Sequence, residues 1–342
     1  MKRILAILVS VMLIIGLMAA CGSSNTSAPA DTKTADKQQS ETKPSTDSAS
    51  SAKKKFRVGA TLKDLSDQFV KNIGDAMIEA AKAYEGELEF DLQDAQGDVS
   101  KQIEQVEAFI AKKYDAIIMV AQDAEGSGAA VEKAAAAGIP LIECNTLTKN
   151  DNYTVYVGSD DVNAGKMQAE FLKDLLPENA QVVYLMGPMG QSPQIYRKEG
   201  IQKYLFDVRK DIKVLDEQTA EWKRDRAMAL TEDWLTKYGS KINAVISQND
   251  DMAMGALSAV EAKGLLGKVI VVGVDAIPDA LQAVKDGKLA ATVFQNSKAQ
   301  ASGAIDAAMK ILKGEKVDKV IDIPFELVTK ENVDKYIGLN AQ

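Results

Sequence analysis

The chain has 342 residues, 46% of them hydrophobic and only 6% aromatic, and its net charge of −8 is spread over interspersed acidic and basic residues. That length suits two domains with separate cores, and an Ala-, Val-, Ile-, Leu- and Gly-rich composition suits parallel sheets covered by helices. The acidic balance argues against nucleic acid, whose phosphates require a basic face, and the absence of histidine excludes Ser-His-Asp or Cys-His catalysis and imidazole-bound metals.

In chain order, Lys2 and Arg3 precede an apolar stretch from Ile4 to Leu17, broken only by Ser10 and Gly16, and then Met18-Ala19-Ala20-Cys21. A short apolar run ending in small residues is a secretory signal rather than a spanning helix. A cysteine at the cut reads as a bacterial lipoprotein signal over 1–20, with Met18 where leucine is more usual. Cys21 would then carry the lipid, and acyl chains would hold the protein on the outer face of the cell membrane. Residues 22 to 54 contain no aromatic and no large aliphatic residue, so they read as a flexible tether. With Cys21 so used, Cys144 is a lone thiol, read as a small buried hydrophobe, and no disulfide framework exists.

From Phe56 onward, strand-like runs alternate with amphipathic segments. The runs are Phe56–Leu62, Leu88–Asp94, Ala116–Val120, Pro140–Cys144, Thr154–Gly158, Gln181–Met186, Ile212–Thr219, Asn243–Gln248, Val269–Asp275 and Leu289–Gln295. Between them lie helical spacings such as Phe69, Ile73 and Met77. The pattern predicts βαβ units, an α/β fold, and two parallel sheets of five or six strands with a change of lobe near Gly158-Ser159-Asp160. Ile321–Phe325 is expected to be a last crossing strand.

Ligands in such sheets sit beyond the carboxyl ends of the strands. Those ends carry Asp94, Gln122-Asp123, Asn145, Gln248-Asn249-Asp250, Asp275 and Gln295, amides and carboxylates suited to hydroxyls. Asp250, ahead of Met252, is expected to cap the next helix, and Trp222 and Phe69 supply flat rings for the C–H faces of a sugar. No Gly-x-Gly-x-x-Gly follows the first strand and no P-loop occurs, so no nucleotide and no cofactor is expected.

The stretch Gln248-Asn249-Asp250-Asp251-Met252-Ala253-Met254-Gly255-Ala256 resembles the QNDEMALGA segment of the ribose/galactose-type periplasmic sugar-binding proteins. Val271–Asp275, Pro278-Asp279 and Asp286–Gln295 continue the likeness in register, as do Gly138–Ile142 and Gly158–Asp161 upstream. The resemblance implies a type I periplasmic binding protein: two Rossmann-like lobes with parallel sheets joined by a three-segment hinge. Residues 55–158 with 297–322 would form one lobe, and 159–296 with 323–342 the other. It further implies the monomeric solute-binding component of an ABC importer, with Asn249, Asp275 and Gln295 as ligand contacts and Trp222 as the stacking ring. On the first lobe Asp67-Gln68-Phe69 matches the galactose-type Asp-Asn-Phe, giving Asp67 a hydroxyl contact and Phe69 the opposing platform.

Departures from the family pattern bear on the ligand. Asn145 is followed by Thr146 where an arginine is usual, and Val120 replaces a usual asparagine, with Gln122 as its partial substitute. Lys223 stands after Trp222 where an acidic residue is frequent. The family's second arginine would fall near Ile195, and Arg197 is expected to pair with Glu199 as a structural pair. A site without two guanidinium forks should prefer a different solute. The Asp64–Phe69 stretch is similar to members assigned to inositol-like or rhizopine-like cyclic polyols. The expectation is therefore capture of a monosaccharide or cyclic polyol for a membrane permease. The alternative is a sugar or autoinducer sensor signalling to a membrane receptor. A glycosidase using Asp67 and Asp275 is disfavoured by the aromatic platforms and amide-rich lining. A sugar-responsive repressor would carry a helix-turn-helix where this chain has an export signal.

Overall fold

The computed structural model describes residues 55–339, so the expected signal, Cys21 and the tether lie outside the described residues. From β1 (Phe56–Leu62) the chain runs through α1 (Gln68–Ala81), β2 (Leu88–Asp94), α2 (Val99–Ala111), β3 (Ala116–Val120), α3 (Gly128–Ala136), β4 (Leu141–Cys144) and β5 (Val155–Gly158). It continues through α4 (Asp161–Leu175), β6 (Gln181–Met186), α5 (Ser192–Ile201), β7 (Lys213–Thr219), α6 (Arg224–Tyr238), β8 (Ala244–Ser247), α7 (Asp250–Ala262) and β9 (Ile270–Val272). Last come α8 (Pro278–Lys285), β10 (Thr292–Phe294), α9 (Ser297–Leu312), β11 (Val320–Asp322) and β12 (Glu326–Val328).

The first sheet is parallel throughout, in the order β11-β5-β4-β3-β1-β2. Strand β3, at the centre, is apolar on both faces because helices cover both. Val58, Ala60, Leu62, Ile118 and Val120 pack with Ile73 and Met77 of α1 and Ile305 and Met309 of α9. Ile117 and Met119 point the other way, onto Val106 and Phe109 of α2 and Val131 of α3. Side chains alternate across a strand, so one continuous apolar run serves two cores. Cys144 lies in the first of these cores, where burial pushes its thiol far above the ordinary range.

The second sheet is also parallel, in the order β7-β6-β8-β9, and single bridges at Val272–Ala291 and Asp275–Phe294 lead to β10, which pairs antiparallel with β12. Val183, Leu185 and Val245 face α6, α7 and α8, while Val182, Tyr184 and Ile246 face the α4–α5 side. Helices α4 and α5 approach backbone to backbone: a Cβ on Gly165 would stand 2.2 Å from the Arg197 carbonyl oxygen, and one on Gly200 2.3 Å from that of Val162. Only glycine permits that approach.

The chain crosses between the sheets three times: after β5, between β10 and α9, and between β11 and β12. The last crossing differs from the expected single strand over Ile321–Phe325. Strand β11 stops at Asp322, Ile323 donates to the Gly158 carbonyl at 2.7 Å, Pro324 has no N–H to offer, and β12 begins at Glu326 in the other sheet.

Candidate functional site

The two sheets point their carboxyl ends at a common hollow. From the first sheet's side come Lys63 and Asp67 in the β1–α1 turn, Phe69 and Val70 at the start of α1, and Asn145 just after β4. From the second come Pro193 and Arg197 of α5, Trp222 after β7, Asn249 after β8, Asp275 after β9 and Gln295 after β10. In each sheet this is the point where strand order reverses, between β1 and β3 and between β6 and β8, where open α/β sheets leave a crevice.

Three lining residues are held by unusual backbone: Asn145 (φ 66°), Trp222 (φ 60°) and Asp275 (φ 119°). Left-handed conformations are costly for residues with a Cβ, and they concentrate at functional sites. At Trp222 the strain has a visible purpose. The indole lies over Gly187, where an added Cβ would stand 2.0 Å from Cζ2, and its Nε1 donates to Gln191 Oε1 at 2.8 Å. Glycine at 187 therefore sets how deep the ring can seat.

Asp67 and Asn249 each do double duty. Asp67 Oδ1 accepts from the backbone N–H groups of Phe69 and Val70 and caps α1. Asn249 Oδ1 accepts from Met252 N and caps α7. A capping side chain is fixed in position, so its remaining polar atoms are pre-aimed. Asn145 donates to Gln300 Oε1 at 3.1 Å.

The expected cap at Asp250 is corrected: Asn249 takes that place, and Asp250 is buried, accepting from Thr292 Oγ1 and from Ile277 N. Burial pushes its carboxyl up to about 8 against those donors. The reason for the miss is register, since Asn249 is the last extended residue and Asp250 already lies in the first turn.

A second correction concerns Arg197. It does not pair with Glu199. Residues two apart on a helix do not face each other, and Arg197 points inward. Its Nε donates to Asp161 Oδ1 at 2.9 Å, Nη1 to the Gln248 carbonyl at 2.6 Å and Nη2 to Gln295 Oε1 at 3.1 Å, while Nη1 stands 3.8 Å from Asp275 Oδ1. Despite the cost of burial, Asp161 and Asp275 hold its proton more firmly than usual. Burial raises Asp275 well above the ordinary carboxylate range, with Arg197 opposing. The site therefore has a guanidinium after all. It is placed by α5 rather than by the turn before it, and the Gly165–Gly200 contact brings that helix within reach of Asp161.

Lys63 and Gln191 were not foreseen. Lys63 is only 4% exposed, and its ammonium donates across the gap to Gln191 Oε1 at 2.9 Å. Burial lowers its proton affinity below the ordinary lysine value, with Asp67 the leading opposing charge. The signal available in sequence was its place, one residue beyond a strand end. Gln122, by contrast, is not in the hollow. It borders an adjoining groove with Lys63, Asp67 and Trp222, and its own N–H donates to Gln102.

Behind the rim, Glu143 of β4 accepts the Thr148 N–H with both carboxylate oxygens and so ties down the loop that carries Asn145. Burial pushes its carboxyl from 4.5 up to about 7, with Thr148 opposing. A group whose folded pKa lies above its unfolded value contributes most at low pH, and that contribution fades as pH rises through the folded pKa. Urea unfolding from pH 4.5 to 8 should show wild-type stability falling toward pH 7, and Glu143→Gln should flatten that slope. Identical profiles for the two proteins would contradict it.

A model of the periplasmic binding protein domain matches residues 58–316. The chain belongs to the periplasmic binding protein family. It is 37% identical to a putative rhizopine-binding protein of Rhizobium meliloti, over 83% of this chain and 93% of that one. It is 36% identical to a xylitol-binding protein of Mycolicibacterium smegmatis, over 93% and 83% of the two chains. Among solved structures, an ABC transporter solute-binding protein from Bacillus halodurans with bound myo-inositol superposes with a TM-score of 0.79 at 38% identity, covering 83% of this chain and 97% of that one. The family is extracytoplasmic, and these relatives are binding proteins. This chain is a ligand-capturing member with the type I α/β fold.

Proposed function

We propose that the chain is the lipid-anchored solute-binding component of an ABC importer, and that it captures one small monosaccharide or cyclic polyol by closing its two lobes. The observation that carries this reading is the convergence of Lys63, Asp67, Phe69 and Asn145 from one sheet with Arg197, Trp222, Asn249 and Asp275 from the other on a single hollow. A solute there touches both lobes, so it favours the closed form by its differential affinity for that form. Rings, amides and acids together match a solute with C–H faces and a hydroxyl rim.

The solute class is narrowed by two of the relatives, whose name and content give xylitol and myo-inositol. We place a cyclic polyol first. Residues 55–158 with 297–322, and 159–296 with 323–342, act as the two moving bodies, and Cys21 carries the lipid. The protein works by capture and release, without bond-breaking: Asp67 is held in place by capping α1 through Oδ1, and Asp275 lies beside the Arg197 guanidinium.

Thermal unfolding tests the reading with myo-inositol, xylitol and D-ribose. A ligand at about a hundred times its Kd stabilises by about 2.7 kcal/mol, a midpoint rise of several degrees. At least one of the three should produce it. No shift with any of them would refute the assignment of solute class.

A further inference from the structure

We infer that Lys63 is a specificity-determining residue that makes this site select uncharged polyols over their amino-substituted, cationic counterparts. The inference rests on the proposed function and names the charge class of its solute.

The hollow holds two couples of opposite charge, one from each sheet. Lys63 and Asp67 line it from the β1–α1 turn, and Arg197 and Asp275 line it from the opposite side. Of the carboxylates behind that lining, Asp161 is engaged with Arg197 Nε, Asp250 with Thr292 Oγ1 and Asp251 with Arg224. Each couple sets a donor that cannot accept beside an acceptor group. An ammonium has three donors and no acceptor, an ionised carboxylate the reverse, and a hydroxyl has one donor and two acceptor lone pairs. A hydroxyl between Lys63 and Asp67 can therefore accept from one and donate to the other. A ligand ammonium would satisfy Asp67 but stand against Lys63 with nothing to accept from it. In a buried site that like-charge encounter is weakly screened.

The position of Lys63 is fixed by contacts independent of any ligand. One donor goes to Gln191 Oε1, the same oxygen that accepts from Trp222 Nε1. The ammonium lies 5.7 Å from the centroid of the Trp222 ring, within cation–π range. Lysine is a flexible point charge, and holding it at 4% exposure costs side-chain entropy and desolvation. The Gln191 oxygen, the indole face and the nearby carboxylates offset that cost, and they hold the lysine in the wall of the hollow. Removing the charge leaves Asp67 as the dominant charge on that wall.

Calorimetric titration of wild type, Lys63→Met and Asp67→Asn tests this with two pairs of probes: myo-inositol with an amino-deoxy-inositol, and D-ribose with an amino-deoxy-ribose. In the pair that binds, wild type should prefer the uncharged member at least tenfold. Lys63→Met should bring that ratio below threefold or reverse it, while Asp67→Asn, which keeps a capping side chain, should widen it. Lys63→Arg restores a cation and should return the preference. A wild-type preference for the amine, or a ratio unchanged in Lys63→Met, would overturn the inference while leaving solute capture intact. If none of the four solutes binds wild type, this inference fails, and the functional reading fails with it only where xylitol also gives no thermal shift.

Discussion

Replacing Arg197 by methionine should destabilise the protein by about 3–5 kcal/mol and weaken solute binding by roughly ten- to a hundredfold. The guanidinium is 3% exposed and joins Asp161, the Gln248 carbonyl and Gln295, with Asp275 beside it. Methionine fills much of the same volume, so the loss is electrostatic rather than a cavity. Two buried carboxylates lose their counter-charge, and breaking a buried pair costs far more than the pair itself contributes. The direction with pH follows. Carboxylates stripped of a cation and left buried have raised folded pKa values, so the variant should regain stability as pH falls and they take up protons. Urea titrations at pH 5 and pH 7.5 would check both points. A variant within 1 kcal/mol of wild type at pH 7.5 would show that Arg197 is not the hub described here.

The second large effect is expected at Trp222. Alanine there removes the ring that lines the hollow and the Nε1 donor to Gln191, and should weaken solute binding at least tenfold, with about a hundredfold expected for a buried aromatic anchor. Phenylalanine separates the two contributions. Trp222→Phe keeps a flat face but loses the hydrogen bond, so its affinity should fall between those of wild type and alanine. Equal losses in the two variants would assign the whole effect to the Gln191 contact, and no loss in either would remove Trp222 from the site. Both readouts come from calorimetry, with circular dichroism confirming that each variant is folded.

Much of this arrangement was legible in the sequence. Parallel strands covered on both faces must be apolar on both faces, so Phe56–Leu62, Ala116–Val120 and Gln181–Met186 stand out as short runs, and the structure places strands on the same residues. Polar residues at the carboxyl ends of such runs form a wider set, from which the family resemblance picks out Asn249, Asp275 and Gln295. These and Asn145 line the hollow, whereas Asp94 and Asp123 accept from the backbone of their own turns.

What stayed hidden depends on how elements approach one another. Glu199 is the nearest acid to Arg197 in sequence, yet it lies two positions on along the same helix and faces elsewhere. The true partner, Asp161, opens a different helix 36 residues earlier. That contact exists because Gly165 and Gly200 let α4 and α5 touch, a fact of packing rather than of composition. Beyond its place at a strand end, nothing in the sequence singles out Lys63, because lysines normally keep the charged head in water. Its burial follows from Gln191, which lies 128 residues away. Asp250 was misplaced by one residue, and at a helix start one residue separates a cap from a core position.

The most direct test of the central claim, that both lobes grip one small solute, is a crystal structure of the protein with whichever of the three solutes raises its melting point most. The solute should lie between the two sheets, in contact with Lys63 and Asp67 on one side and with Trp222, Asn249 and Asp275 on the other. A solute bound elsewhere, or held by residues of a single sheet, would contradict it.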